Sequence, residues 1–168
     1  GCDVIAPSDM MDGRVAAIRK ALDKENFKDV SILSYAVKFA SNFYGPFREA
    51  VGSRKKLKTD KKSYQMDYRN IFESYREVGL DLKEGADMII VKPGMPYLDI
   101  ISEIKKKFSV PVIAYQVSGE YSLIKNAINK KFLNEESIIE SIISFKRAGA
   151  CAIVTYFALE IAKKLRSN

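Results

Sequence analysis

The 168-residue chain contains no histidine and no tryptophan, and only two cysteines, Cys2 and Cys151. Without histidine, these residues supply no imidazole general base, no catalytic triad and no histidine metal ligand. Acid–base work falls to Lys, Tyr, Asp, Glu, Ser or water. Two cysteines without CxxC spacing make no disulfide framework, so a reducing compartment, the cytoplasm, is the expectation. No apolar stretch approaches the roughly 20 residues that cross a bilayer, so no membrane partner is expected. No signal peptide is visible either. The chain opens Gly1-Cys2-Asp3 rather than on methionine, which leaves an upstream segment and plastid targeting open.

What is present reads as a globular domain: hydrophobic residues make up 47% and charged ones 29%. Lys and Arg number 28 against 21 Asp and Glu, a formal charge of +7. Much of the excess is local, in Arg54-Lys-Lys-Leu-Lys58 and Lys61-Lys62. Such a run is commonly a solvated loop, and this one lacks the interleaved aromatics of base stacking. No nucleic-acid partner is expected; holding carboxylates suits the run better.

Five short apolar runs recur, most of them followed by helical periodicity. They are Val4-Ile5-Ala6, Ser31 to Lys38, Met88 to Lys92, Val110 to Tyr115 and Cys151 to Tyr156. Helices are expected from about Gly13 to Leu22, Asp67 to Leu82, Tyr97 to Phe108, Glu120 to Asn129 and Ala158 to Leu165. A further helix, N-capped by Asn134, should end before Gly149. Continuous apolar strands alternating with helices mean a parallel sheet covered on both faces.

Ser8, Lys38, Lys92, Ser118 and Tyr156 all fall at or just past strand C-termini, as in barrels that gather chemistry on one rim. Five strand–helix units could form an open doubly wound sheet or, as the rim placement favours, part of a TIM (β/α)8 barrel. A whole barrel needs eight βα units of about 30 residues, so 168 residues supply only about five, as a single partial domain. The stretch from Phe39 to Met66 is several times longer than an ordinary βα loop and rich in aromatics. It is expected to be an active-site lid.

Lys38 and Lys92 each close an apolar strand and open a loop. A lysine partly desolvated beside another cation loses its proton more readily and attacks carbonyl carbons as a free amine. Two of them imply Schiff-base chemistry on two carbonyl substrates, or on one substrate twice. Each residue also has a plainer reading. A strand-end lysine can be a solvated terminus, Ser118 a helix cap, Tyr156 a core aromatic and Arg48 a surface ion-pair partner.

Gly85-Ala-Asp-Met-Ile-Ile-Val-Lys92-Pro93-Gly94-Met-Pro-Tyr97 resembles the signature of the porphobilinogen synthase (δ-aminolevulinic acid dehydratase) family. The likeness continues through Ala6 to Gly13, Lys38-Phe-Ala-Ser, Phe43 to Arg48, Ser63 to Met66, Ala114 to Tyr121 and Tyr156-Phe-Ala158. It covers nearly the whole chain, in the family's order.

The resemblance implies a lyase that condenses and dehydrates two 5-aminolevulinate molecules to porphobilinogen in tetrapyrrole biosynthesis. It implies a Schiff base on Lys92 with the propionate-side substrate and on Lys38 with the acetate-side one. Ser118 and Tyr156 would hold the first carboxylate, and Arg48, Lys61 and Gln65 the second. Lys61 stands where the most similar members have arginine, which keeps the charge and gives up the bidentate grip.

The likeness further implies a homo-oligomer, an octamer, and no organic cofactor. Catalytic zinc or magnesium would be bound on strands outside this chain, and Glu77 matches a ligand of an allosteric magnesium in some members. An isolated half-barrel is expected to be weakly active or inactive. Another class I aldolase-like Schiff-base barrel and a catalytically inactive fragment are the alternatives.

Overall fold

The computed structural model describes residues 1–45 and 63–166. Its five strands are β1 (Val4–Ile5), β2 (Ser31–Lys38), β3 (Met88–Lys92), β4 (Val112–Gln116) and β5 (Ala152–Thr155). They pair in parallel in sequence order, β1-β2-β3-β4-β5. The helices are α1 (Arg14–Lys24), α2 (Phe72–Lys83), α3 (Leu98–Lys107), α4 (Ser118–Asn129), α5 (Glu136–Ala148) and α6 (Ala158–Arg166). This is a half-barrel, the partial TIM architecture expected.

Alternation along β3 separates two faces. Ile89 and Val91 belong to the main core with Ile32, Val37, Ile101, Ile104 and Phe145. Ile90 and Lys92, one residue out of phase, therefore stand on the opposite, concave face. β2 to β4 are well buried, whereas Val4 on β1 and Val154 on β5 are 41% and 40% exposed. The two open edges are where a closed barrel would continue.

Local chemistry explains where the expected boundaries moved. The helix expected from Asp67 begins at Phe72 because Asp67 Oδ1 and Asn70 Oδ1 accept the amides of Arg69 and Phe72 in successive side-chain turns. Its end is as expected, with Gly85 at φ +102° just beyond it. The strand expected from Val110 begins at Val112, since Pro111 has no amide to give to a ladder. Asn134 Oδ1 accepts the Glu136 amide at 3.1 Å in a turn just ahead of α5, but the N-cap position expected for it falls to Glu135, which makes no side-chain cap bond. The Tyr97 helix starts at Leu98, behind a 3₁₀ turn at Met95–Tyr97.

Candidate active site

The ladder between β2 and β3 carries a one-residue irregularity. Ser34 pairs with Ile89, but Val37 pairs with Val91 and Lys38 with Lys92. Three steps along β2 thus match two along β3, a bulge that adds one residue to β2. Without it, Val37 would lie level with Lys92 and Lys38 one place beyond. With it, the two lysines are direct partners at the strand ends.

Tyrosine rings surround the amines. Lys92 Nζ lies 4.1 Å from the Tyr115 ring centroid, 5.4 Å from that of Tyr35 and 5.7 Å from that of Tyr44. Lys38 Nζ lies 5.7 Å from the same Tyr35 ring and donates to the Ser8 carbonyl. Positive charge on either nitrogen therefore meets the electron-rich face of an aromatic ring. Burial, with the neighbouring hydroxyls of Tyr156 and Tyr35, pushes the Tyr115 phenol up to about 12. Burial raises Tyr35 as well. Both phenols keep their protons at neutral pH and stay hydrogen-bond donors.

Lys92, Tyr115, Ser118 and Tyr156 line one cleft together with Tyr44 and Val117. Ser118 is the first residue of α4, buried just past the end of β4, and Val117 rather than Ser118 occupies the N-cap position. Tyr156 follows β5 and is 48% exposed. Its neighbour Phe157 is fully buried against Ile124 and Ile138, and the Phe157 amide donates to Thr155 Oγ1 at 3.1 Å. Thr155 in turn donates to the fully buried Gln116, whose Nε2 donates to Ser141. A satisfied polar network thus fixes the strand end that presents Tyr156.

The described ends of the long loop are tied to the same rim. Met66 N donates to Lys38 O at 3.0 Å, and Ala40 N donates to Met66 O at 2.8 Å. Gln65, beside Met66, is buried with an Oε1 that has no hydrogen-bond partner among the described residues. At the other end the Tyr44 hydroxyl donates to Lys92 O at 3.2 Å. The turn at Asn42–Tyr44 packs on α4, and a Cβ on Gly119 would meet Phe43 O at 2.2 Å. Arg48 and Lys61, and with them residues 46–62 of the expected lid, lie outside the described residues.

Glu77 lies on α2 and lines a different cleft with Asp9, Asp12, Ser34 and Asp81. Burial, then the nearby charge of Asp81, raises its pKa. Among the described residues, no group of three or more His, Cys, Asp or Glu is arranged to hold a metal. Cys2 and Cys151 are both free and exposed.

Sequence pattern does not reveal the chemical setting of Tyr35 and Tyr115, and it marks Glu120 only as the start of a helix. Tyr35 sits on the bulged part of β2, which no periodicity marks. Glu120 offered one signal, an acid at the third position of a helix. It is buried and accepts amide hydrogens from Val117, Met95 and Gly94.

Comparison with known proteins agrees with this geometry. The family model described as delta-aminolevulinic acid dehydratase matches residues 1–164. A delta-aminolevulinic acid dehydratase of Bradyrhizobium diazoefficiens is 56% identical over 169 residues, covering 100% of this chain and 48% of its own. The chloroplastic one of Pisum sativum is 54% identical over 98% of this chain and 42% of its own. The Toxoplasma gondii delta-aminolevulinic acid dehydratase (porphobilinogen synthase), solved with its reaction product porphobilinogen, superposes with a TM-score of 0.93 at 53% identity. That match covers 97% of this chain and 47% of the other. The chain spans about half the length of the relatives it matches. With the paired rim lysines and a family match over nearly its full length, the chain belongs to the delta-aminolevulinic acid dehydratase family.

Proposed function

We propose that this chain carries the Schiff-base part of a porphobilinogen synthase site, acting on two molecules of 5-aminolevulinate. The observation that carries the reading is the register pairing of Lys38 with Lys92 at the strand ends, beside a cleft that also holds Ser118 and Tyr156. One amine per substrate suits a reaction that joins two identical ketones.

In this reading Lys92 Nζ attacks the ketone carbon of the propionate-side substrate. Water leaves, and the resulting iminium lies over the Tyr115 ring, whose face stabilises the new positive charge. The Ser118 and Tyr156 hydroxyls donate to that substrate's carboxylate. Lys38 takes the second substrate in the same manner, with Arg48, Lys61 and Gln65 on its carboxylate. One iminium acidifies its adjacent carbon, whose proton passes to water. The enamine so formed attacks the iminium carbon on the other lysine, whose nitrogen takes up the electron pair as the carbon–carbon bond forms. Residues 39–66 act as the lid over both substrates, and 1–168 as one partial domain.

The family is metal-dependent in general. Among the described residues no group fits a catalytic metal; in this reading zinc or magnesium would be held by residues outside this chain, and no step above passes through it. Glu77 would hold an allosteric magnesium only with ligands from beyond the described residues. Assembly as a homo-oligomer, an octamer, is part of the same reading. Among the described residues no helix is long and apolar enough to cross a membrane.

Incubation of the full chain carrying this sequence with 5-aminolevulinate and borohydride tests the proposal. A reduced mass adduct on Lys92 is expected. No adduct on Lys92 would overturn it, and an adduct formed only with aldol substrates would favour a class I aldolase. The 168 residues alone should make little porphobilinogen, because β1 and β5 leave the barrel open.

A further inference from the structure

We propose that Glu120 is a positioning residue for Lys92, tying the loop that follows this lysine to the helix start that carries Ser118. The inference rests on the Schiff-base reading of Lys92 and extends it to a residue that touches no substrate.

Glu120 is the third residue of α4, and its Oε2 accepts the Val117 amide at 2.5 Å, as an acid at this position does when it caps its own helix. Capping would be complete with that one bond. The same carboxylate also reaches a second segment. Oε1 accepts the Met95 amide at 2.5 Å, and Oε2 the Gly94 amide at 3.5 Å. Gly94 stands two residues after Lys92, and Val117 immediately before Ser118.

One fork therefore holds both walls of the cleft in which Lys92 and Ser118 meet. Glu120 is only 2% exposed, and desolvation raises its pKa to about 7 despite the three amide donors. A buried carboxylate held by neutral amides is a costly way to stabilise a fold. Its two oxygens take three amides from two segments at once, where a side-chain amide offers one acceptor oxygen for all three. The gain is in relative position: a displacement of about 1 Å between amine and carboxylate site can cost on the order of 100-fold in rate.

The experiment compares wild type, Glu120→Gln and Glu120→Asp in the full chain. Glutamine keeps one acceptor and turns an NH₂ toward the other amides; aspartate is too short to serve both segments. Borohydride trapping with 5-aminolevulinate is read separately at Lys92 and Lys38. Lys38 is anchored through Ser8 and Met66, with no bond to Glu120. Both variants should lower the Lys92 adduct relative to the Lys38 adduct, with kcat falling by roughly 10- to 100-fold and KM moving far less.

An unchanged ratio overturns the proposal. So does a parallel loss of both adducts together with the thermal midpoint, which marks a structural role alone. A wild-type chain with no Lys92 adduct removes the Schiff-base reading itself, and this proposal with it.

Discussion

Lys38 and Lys92 are direct partners in the β2–β3 ladder because one extra residue in β2, between Ser34 and Val37, draws Lys38 back into line. A parallel ladder in register points level residues to the same face, so both amines project from one side of the sheet rim. Their shared neighbour is the Tyr35 ring, on the bulged stretch itself. The pairing sets up a division of labour that can be separated experimentally.

Lys92→Ala should abolish the borohydride adduct with the first substrate and lower activity by at least about 10³-fold. Lys38→Ala should leave the Lys92 adduct in place while product formation stops. Peptide mass mapping after reduction reads both results. Trapping at Lys38 in the Lys92→Ala chain with full turnover would contradict the assignment.

Ser118→Ala and Tyr156→Phe each remove one hydroxyl from the cleft that contains Lys92. A hydrogen bond to a charged group is worth about 1.5–3 kcal/mol, so KM should rise roughly 10- to 100-fold in each. Steady-state kinetics checks this. A fall in kcat with KM unchanged would place these hydroxyls on the reacting atoms instead of the carboxylate.

Two glycines should respond to the same substitution with opposite signs. A Cβ on Gly119 would lie 2.2 Å from Phe43 O and 2.9 Å from two further Phe43 main-chain atoms, none of which can move independently. Gly119→Ala should therefore destabilise by about 1–3 kcal/mol and loosen the turn that brings Tyr44 to Lys92. At Gly79, inside α2, the nearest atom would be Phe108 Cε1 at 4.0 Å. Gly79→Ala should stabilise by about 0.5–1 kcal/mol through the lower helix cost of alanine. Denaturant midpoints of the two variants against wild type decide both.

The strands, helices and rim placement of Lys38, Lys92, Ser118 and Tyr156 were legible because they depend on periodicity and on punctuation by Gly, Pro and Asn. Gly85 as a stop is local chemistry, and the chain folds accordingly, while Asn134 makes its side-chain turn one residue ahead of the cap position. What could not be read is longer-ranged. In β2 the bulge shows only as the successive burial of Ala36 and Val37, which the residue types Ser-Ile-Leu-Ser-Tyr-Ala-Val-Lys do not announce, so the partnership of the two lysines had to come from the ladder. Asp67 and Asn70 compete with the helix for its first amides, a contest that hydrophobic pattern does not register. Glu120 reads as an ordinary helix-start acid until the Gly94–Met95 loop is seen against it.

Glu120 also predicts a pH dependence of stability. Burial, opposed by the amides of Val117, Met95 and Gly94, raises its pKa from 4.5 to about 7. Between those values the native state holds a proton that the unfolded chain has released. Its contribution is therefore fully present below about pH 4.5 and is lost as pH rises through about 7, by up to about 3 kcal/mol. Glu77 and Asp81 are raised in the same direction, so the wild-type curve alone does not isolate the effect. The difference between wild type and Glu120→Gln does, because glutamine does not titrate. The difference between the two urea midpoints should be constant below about pH 4.5 and shift against wild type as pH rises through about 7, since the cost of the glutamine NH₂ does not titrate. Parallel curves would mean that the buried carboxyl keeps an ordinary pKa, its three amide bonds outweighing desolvation.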